Sequence, residues 1–354
     1  MRVNGPVRLW YRDLVSCLQA TFATVLLHAG REPLAALGAA WGFYCRPGEV
    51  TTEEFYYGCR HGSLGASLAP HHPVASRWHA GPDGSDPLAP LRDQVGAARL
   101  PIAVVDNYHL PFRPAWHDVH AAHLLVVYGF GDGTVEVSDA MPPAFQGPIP
   151  VEDFLRSWGS TNPRDEQDDF FSNAAIGRRW LEVTLGEPWP VEDRPWLRSV
   201  LQSNLDDLAG GGDGLAGGLL GLPGLRGFLD ELLARAGRGD SSALLELYVF
   251  GWGVQAQASL HGELLRERGR AWDLPALSEA GRAVESVAHA WTGLRITGAH
   301  GRRDPAAVAA DLARHGRAVE HAYRHAADLV ALAVEELDRS RWAARRQAEE
   351  VAAR

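Results

Sequence analysis

The chain has 354 residues, of which 46% are hydrophobic and 22% charged, with a formal net charge of −10 at pH 7. That composition excludes a disordered or fibrous chain, and the acidic balance argues against a general nucleic-acid binder, whose phosphate contacts need a basic face. All 34 basic residues are arginine, which excludes a P-loop lysine, a Schiff-base lysine and a kinase-type lysine together.

At roughly 100–200 residues per domain the length predicts two domains. Three cysteines, Cys17, Cys45 and Cys59, cannot form a disulfide framework, and their odd number predicts a reducing, cytoplasmic setting. No run reaches about 18 uninterrupted apolar residues, so neither secretion nor a membrane partner is expected.

In chain order, the first expected element is a helix from Cys17 to Ala29. Leu18, Phe22, Val25 and Leu26 give it a helical apolar pattern, Ser16 can cap it, and Gly30 can stop it. Pro101-Ile-Ala-Val-Val-Asp106 reads as a buried strand. His123 to Gly129 and Thr134 to Asp139 are β-branched runs around Phe130-Gly-Asp-Gly133, which predicts a hairpin. A short helix is expected over Pro150 to Trp158.

The second half changes character. Nineteen of the 22 prolines precede residue 200, and only Pro223, Pro275 and Pro305 follow. Proline is kept out of helix interiors, and the rest of this half is rich in Ala, Leu, Arg and Glu, which are good helix formers. Helices are expected at about 192–208, 225–237, 241–268, 275–295 and 305–345. The segment from Gly210 to Gly218, continuing to Pro223 and Gly224, reads as a flexible linker or lid. It lacks the Gly-Lys-Ser/Thr of a phosphate loop. A helix, then an antiparallel sheet, then helices predicts an α+β domain over 1–185 followed by an all-helical domain over 186–354.

Cys17 falls on the first turn of its helix, where free backbone N–H groups and the positive end of the macrodipole stabilise a thiolate. A lowered pKa is what a cysteine nucleophile needs. The plainer possibility is a small core residue, since cysteine is among the most buried types. His123 opens the first hairpin strand and Asp139 closes the second. With the turn centred near residues 131–132 they face each other across the ladder, close enough for the carboxylate to orient the ring. Asp106 and Tyr108 stand at the end of the preceding strand, either lining a substrate site or satisfying the strand end. His117, His120 and His123 recur every third residue near Asp118 but on no single helical face, and no metal site is expected. His321 and His325 lie four apart without the glutamate of a metalloprotease. Cys45 and Cys59 are expected to be structural.

Taken together, Val105-Asp-Asn-Tyr-His-Leu-Pro-Phe112, His123-Leu-Leu-Val-Val-Tyr-Gly-Phe130, Val137-Ser-Asp139 and the cysteine segment Asp13-Leu-Val-Ser-Cys-Leu-Gln19 resemble the butirosin-biosynthesis acyltransferase family. The resemblance covers about residues 10–180, and the helical remainder is similar to that family's C-terminal domain more loosely. It implies a papain-like N-terminal domain, with Cys17 as nucleophile, His123 as base and Asp139 as its orienter. It also implies transfer of an acyl or aminoacyl group from a carrier-protein phosphopantetheine thioester to a small-molecule amine, in antibiotic-type metabolite biosynthesis. Two features depart from the pattern: Phe112 stands where a tyrosine is expected, and no glutamine precedes Cys17 to supply an oxyanion donor. No cofactor is expected, because thioester exchange is nearly isoenergetic. Two alternatives are a papain-like cysteine hydrolase or peptidase and a non-catalytic carrier- or ligand-binding protein on that scaffold. An acidic carrier would need a local basic patch, at Arg178 and Arg179 or near Arg341, Arg345 and Arg346. A homodimer stays open.

Overall fold

The fold is taken from a computed structural model that describes residues 1–352 except 6, 52, 82–85 and 211–216, with side chains described to residue 339. The expected linker or lid at Gly210–Gly218 therefore falls largely outside the described residues, as do the side chains of Arg341, Arg345 and Arg346.

Helix α1 (Cys17–His28) starts where Ser16 turns extended, accepts the Leu18 N–H on its Oγ and is closed by Gln19 in a reciprocal capping box. Ten of its residues, from Cys17 to Leu26, are buried, so this helix is enclosed on all sides. A short α2 (Pro33–Gly38), β1 (Tyr44–Cys45) and α3 (Leu64–Leu68) lead into a sheet built from β2 (Val74–His79), β3 (Ile102–Asp106), β4 (Ala122–Phe130), β5 (Thr134–Asp139), β6 (Phe145–Pro150) and β7 (Trp180–Leu185), with α4 (Ala89–Gly96) and α5 (Val151–Trp158) between them. The spatial order is β2-β7-β3-β4-β5-β6, and every pairing is antiparallel. All five residues of β3 are buried, as a central strand covered on both faces requires. Strand β6 carries Pro148 and Pro150 and lies at the sheet edge, where missing N–H donors interrupt no ladder.

The β4–β5 hairpin forms, with a register that differs from the expected one. Val126 faces Ser138 and Val127 faces Val137, whereas beyond a bulge at Tyr128 Gly129 faces Glu136 and Phe130 faces Val135. Continued along the ladder, Asp139 comes opposite Leu125, so His123 and Asp139 are diagonal neighbours and not direct cross-strand partners. The turn is centred one residue further along than expected, around Gly133, whose φ of +65° sits in the region glycine tolerates. Tyr128 is the extra residue that restores the side-chain parity. Without it Asp139 would point to the other face of the sheet. The Tyr128 carbonyl accepts the Val3 N–H at 3.0 Å, so the bulge leaves that group paired.

The second half is helical: α6 (Arg194–Leu208), α7 (Gly221–Gly237), α8 (Ser241–Trp272), α9 (Pro275–Gly301) and α10 (Ala309–Ala352), with one two-residue strand β8 (Leu219–Leu220). That strand pairs with β1, so the helical half reaches into the first. Asp273 at φ 54° caps α8 and turns the chain directly into α9. Helix α2 packs on α8, and the approach is so close that a Cβ on Gly38 would lie 2.8 Å from the Leu260 carbonyl. Tyr323 of α10, fully buried, donates its hydroxyl to the Gly42 carbonyl at 3.2 Å. One continuous apolar core runs from Val3 to Leu337 through both halves; each fully buried Leu or Phe in it contributes about 1.5–3 kcal/mol. No helix among the described residues is long and apolar enough to cross a membrane.

Candidate active site

Helix α1 packs against β4 and β5, which carries Cys17, at its first position, onto the sheet face from which His123 projects. Both residues have 0% exposure. The His123 Nε2 lies 2.9 Å from Asp139 Oδ2, and its Nδ1 lies 3.1 Å from Glu54 Oε2. The ligand atoms of Cys17, Glu54 and His123 all lie within 4.8 Å of one another. The Asp139 carboxylate also accepts the Met141 N–H at 2.9 Å and an Arg113 N–H at 3.3 Å. His123 thus lies beside Cys17 and Glu54 and is bonded to Asp139.

Burial pushes the Cys17 thiol up to about 11, and the Glu54 carboxylate adds to this; His123 and the Leu124 backbone N–H oppose it. Burial also disfavours a charged His123 ring, yet Asp139, Glu54 and Cys17 outweigh that cost and hold its pKa well above the ordinary histidine value. Asp139 pays the same burial penalty, which His123, Arg113 and the Met141 N–H overcome, so its carboxyl sits below the usual range.

Two participants had no signal in the sequence. Glu54 lies in irregular chain between β1 and α3 and reaches His123 across 69 residues, with neither periodicity nor motif to mark it. Arg113 follows a Leu-Pro-Phe turn and reads there as an ordinary loop arginine.

Asp106 and Tyr108 lie apart from this cluster. Asp106 pairs with Ala122, one residue before His123, so its side chain leaves the opposite face of the sheet. There its carboxylate meets His120 Nδ1 at 2.7 Å, the Ser160 hydroxyl at 2.6 Å and the Tyr108 N–H at 3.0 Å. Tyr108 stacks on the His120 ring at 4.1 Å. His117 packs on Trp116 and Tyr108, so neither it nor His120 takes the place of His123. All three cysteines are free. Arg179, expected in a basic docking patch, is ion-paired with Glu53.

Residues 16–140 match the family described as butirosin biosynthesis protein H, N-terminal. The matched span opens on the Ser16 cap and closes one residue after Asp139, so it contains Cys17, Glu54, Arg113, His123 and Asp139. No curated protein matches the chain. The butirosin-type resemblance therefore rests on the segment that builds the cluster, and it ties that segment to an antibiotic-biosynthesis family.

Proposed function

We propose that the protein is an acyltransferase of papain-like architecture that works through an acyl-cysteine. The observation that carries this reading is the His123 ring, held through Nε2 by Asp139 and with a ring nitrogen within 4.8 Å of the Cys17 sulfur. In the proposed cycle the ring first gives up its Nδ1 proton to solvent, the freed Nδ1 takes the thiol proton, and the thiolate attacks the carbonyl carbon of an acyl thioester on a carrier phosphopantetheine. The carbonyl oxygen becomes an oxyanion that accepts the Cys17 backbone N–H, which at the first helical position has no intrahelical acceptor. Collapse breaks the carbon–sulfur bond to the carrier, and the carrier thiolate leaves with the proton from His123. An amine then attacks the acyl-cysteine, His123 takes its proton, the amide forms and the Cys17 sulfur is released. Asp139 keeps the tautomer and stabilises each imidazolium. Thioester exchange is close to isoenergetic and amide formation is downhill, so the cycle needs no nucleotide.

In the resting arrangement Glu54 occupies part of the Nδ1 approach, and its carboxylate is the least buried of the three, at 10% exposure against 0% for His123. Displacement of the Glu54 segment is the step that admits substrate. The full burial of Cys17 favours a second reading, in which the same scaffold binds a ligand without reacting. The experiment that separates them is intact mass spectrometry after incubation with a simple acyl thioester, followed by an amine. Acyl transfer gives a Cys17 adduct that the amine discharges; hydrolysis gives an adduct that water discharges; a binding scaffold gives no adduct.

A further inference from the structure

We propose that Cys17, Glu54 and His123 form a Zn2+ site that, when loaded, holds the closed site inactive. The binding half stands on the geometry alone, and the inactivation half rests on the acyl-transfer reading.

Zinc takes Cys S, His N and carboxylate O at about 2.0–2.3 Å in a tetrahedron, and its ligand atoms then lie about 3.3–3.8 Å apart. The His123 Nδ1 and Glu54 Oε2 are already 3.1 Å apart, and the sulfur completes a triangle with no edge above 4.8 Å. Three protein ligands leave one place for a water. The fourth requirement is a partner behind the histidine, because a ligating ring is normally fixed through its other nitrogen by a carboxylate. Asp139 stands at that position, 2.9 Å from Nε2, itself held by Arg113 and the Met141 N–H.

Loading releases the thiol proton, with any proton on Nδ1, to solvent as one divalent ion enters and Sγ and Nδ1 bond to it. The thiolate and the Glu54 carboxylate then offset the ion's charge. A hard ion such as Mg2+ gains nothing from a thiolate and an imidazole, so the site selects a softer divalent metal. The loaded site uses both the nucleophile and its base as ligands, which removes the lone pairs that acyl transfer needs.

The test uses the full chain, freed of metal by a chelator and titrated with Co2+ followed by Zn2+. One Co2+ per chain with a thiolate-to-cobalt charge-transfer band and intense tetrahedral bands, displaced by Zn2+, is expected. Cys17→Ser should abolish the charge-transfer band, and Asp139→Asn, which leaves all three ligands in place, should weaken the Kd by about 10–100-fold. A charge-transfer band that survives Cys17→Ser, or no band at all, overturns the site. In parallel the mass assay is run with and without Zn2+. Loss of the adduct with Zn2+ and its return with chelator support the inactivation half, and an adduct unaffected by bound Zn2+ overturns it. If cobalt binds through Cys17 while metal-free protein never acylates, the acyl-transfer reading fails and the metal site stands.

Discussion

His123 and Asp139 meet on a diagonal: their side chains bond at 2.9 Å although the residue directly across the ladder from Asp139 is Leu125. The bulge at Tyr128 makes this contact, because it places the carboxylate on the face that α1 covers. Asp139→Asn keeps the shape and removes the charge that raises the His123 pKa. Single-turnover acylation should fall by about 10²–10⁴-fold, the range of a lost general acid–base function, with little change in thioester binding. An unchanged rate would remove Asp139 from the mechanism.

The same pair sets a pH dependence of stability. The Asp139 pKa is lowered on folding, so its contribution is present above the ordinary carboxylate value of about 3.9 and is lost as pH falls through its lower folded value. The His123 pKa is raised on folding, so its contribution is present below about 6.5 and is lost as pH rises through its higher folded value. Urea midpoints measured across pH should therefore decline at both ends. In Asp139→Asn the acid-side decline should be shallower; an identical slope would contradict the assignment.

Glu54 is the second cause, after burial, of the raised Cys17 pKa. In Glu54→Gln the negative charge facing the sulfur is gone, and the thiolate becomes easier to form. The inflection of the iodoacetamide alkylation rate against pH should move to lower pH than in the wild-type protein, with a several-fold faster rate near neutrality. A shift upward would mean that Glu54 assists the thiolate.

Ser16 ties the helix start to the nucleophile. Its Oγ accepts the Leu18 N–H at 3.2 Å and its own N–H meets the Gln19 side chain at 3.1 Å. Ser16→Ala should cost about 1 kcal/mol in a denaturant titration and lower acylation by loosening the first turn. A stability loss without any kinetic effect would separate the cap from the site.

Local signals made much of this molecule legible and long-range ones hid the rest. The five C-terminal helices follow from the scarcity of proline, which falls only in their first turns, and the run of Ala, Leu, Arg and Glu, and α1 follows from Ser16, its apolar spacing and Gly30. Strand β3 and the hairpin follow from β-branched runs around Gly-Asp-Gly. The register at the Asp139 end differs by two residues from the one the turn position predicts, because a bulge depends on the pairing beyond Tyr128 and no residue type announces it. Strand β6 was hidden by its two prolines, which only an edge position permits. Cys17, His123 and Asp139 stood out through helix position and hairpin pairing. Glu54 did not, since only the tertiary fold brings an irregular segment onto a strand 69 residues away.

The most direct test of the account is the intact mass of metal-free protein after incubation with an acyl thioester. The account predicts a single acyl adduct that maps to the Cys17 peptide, is absent in Cys17→Ala and is discharged to an amide when an amine is added. An adduct on Cys45 or Cys59, one that persists in Cys17→Ala, or no adduct at all would contradict it.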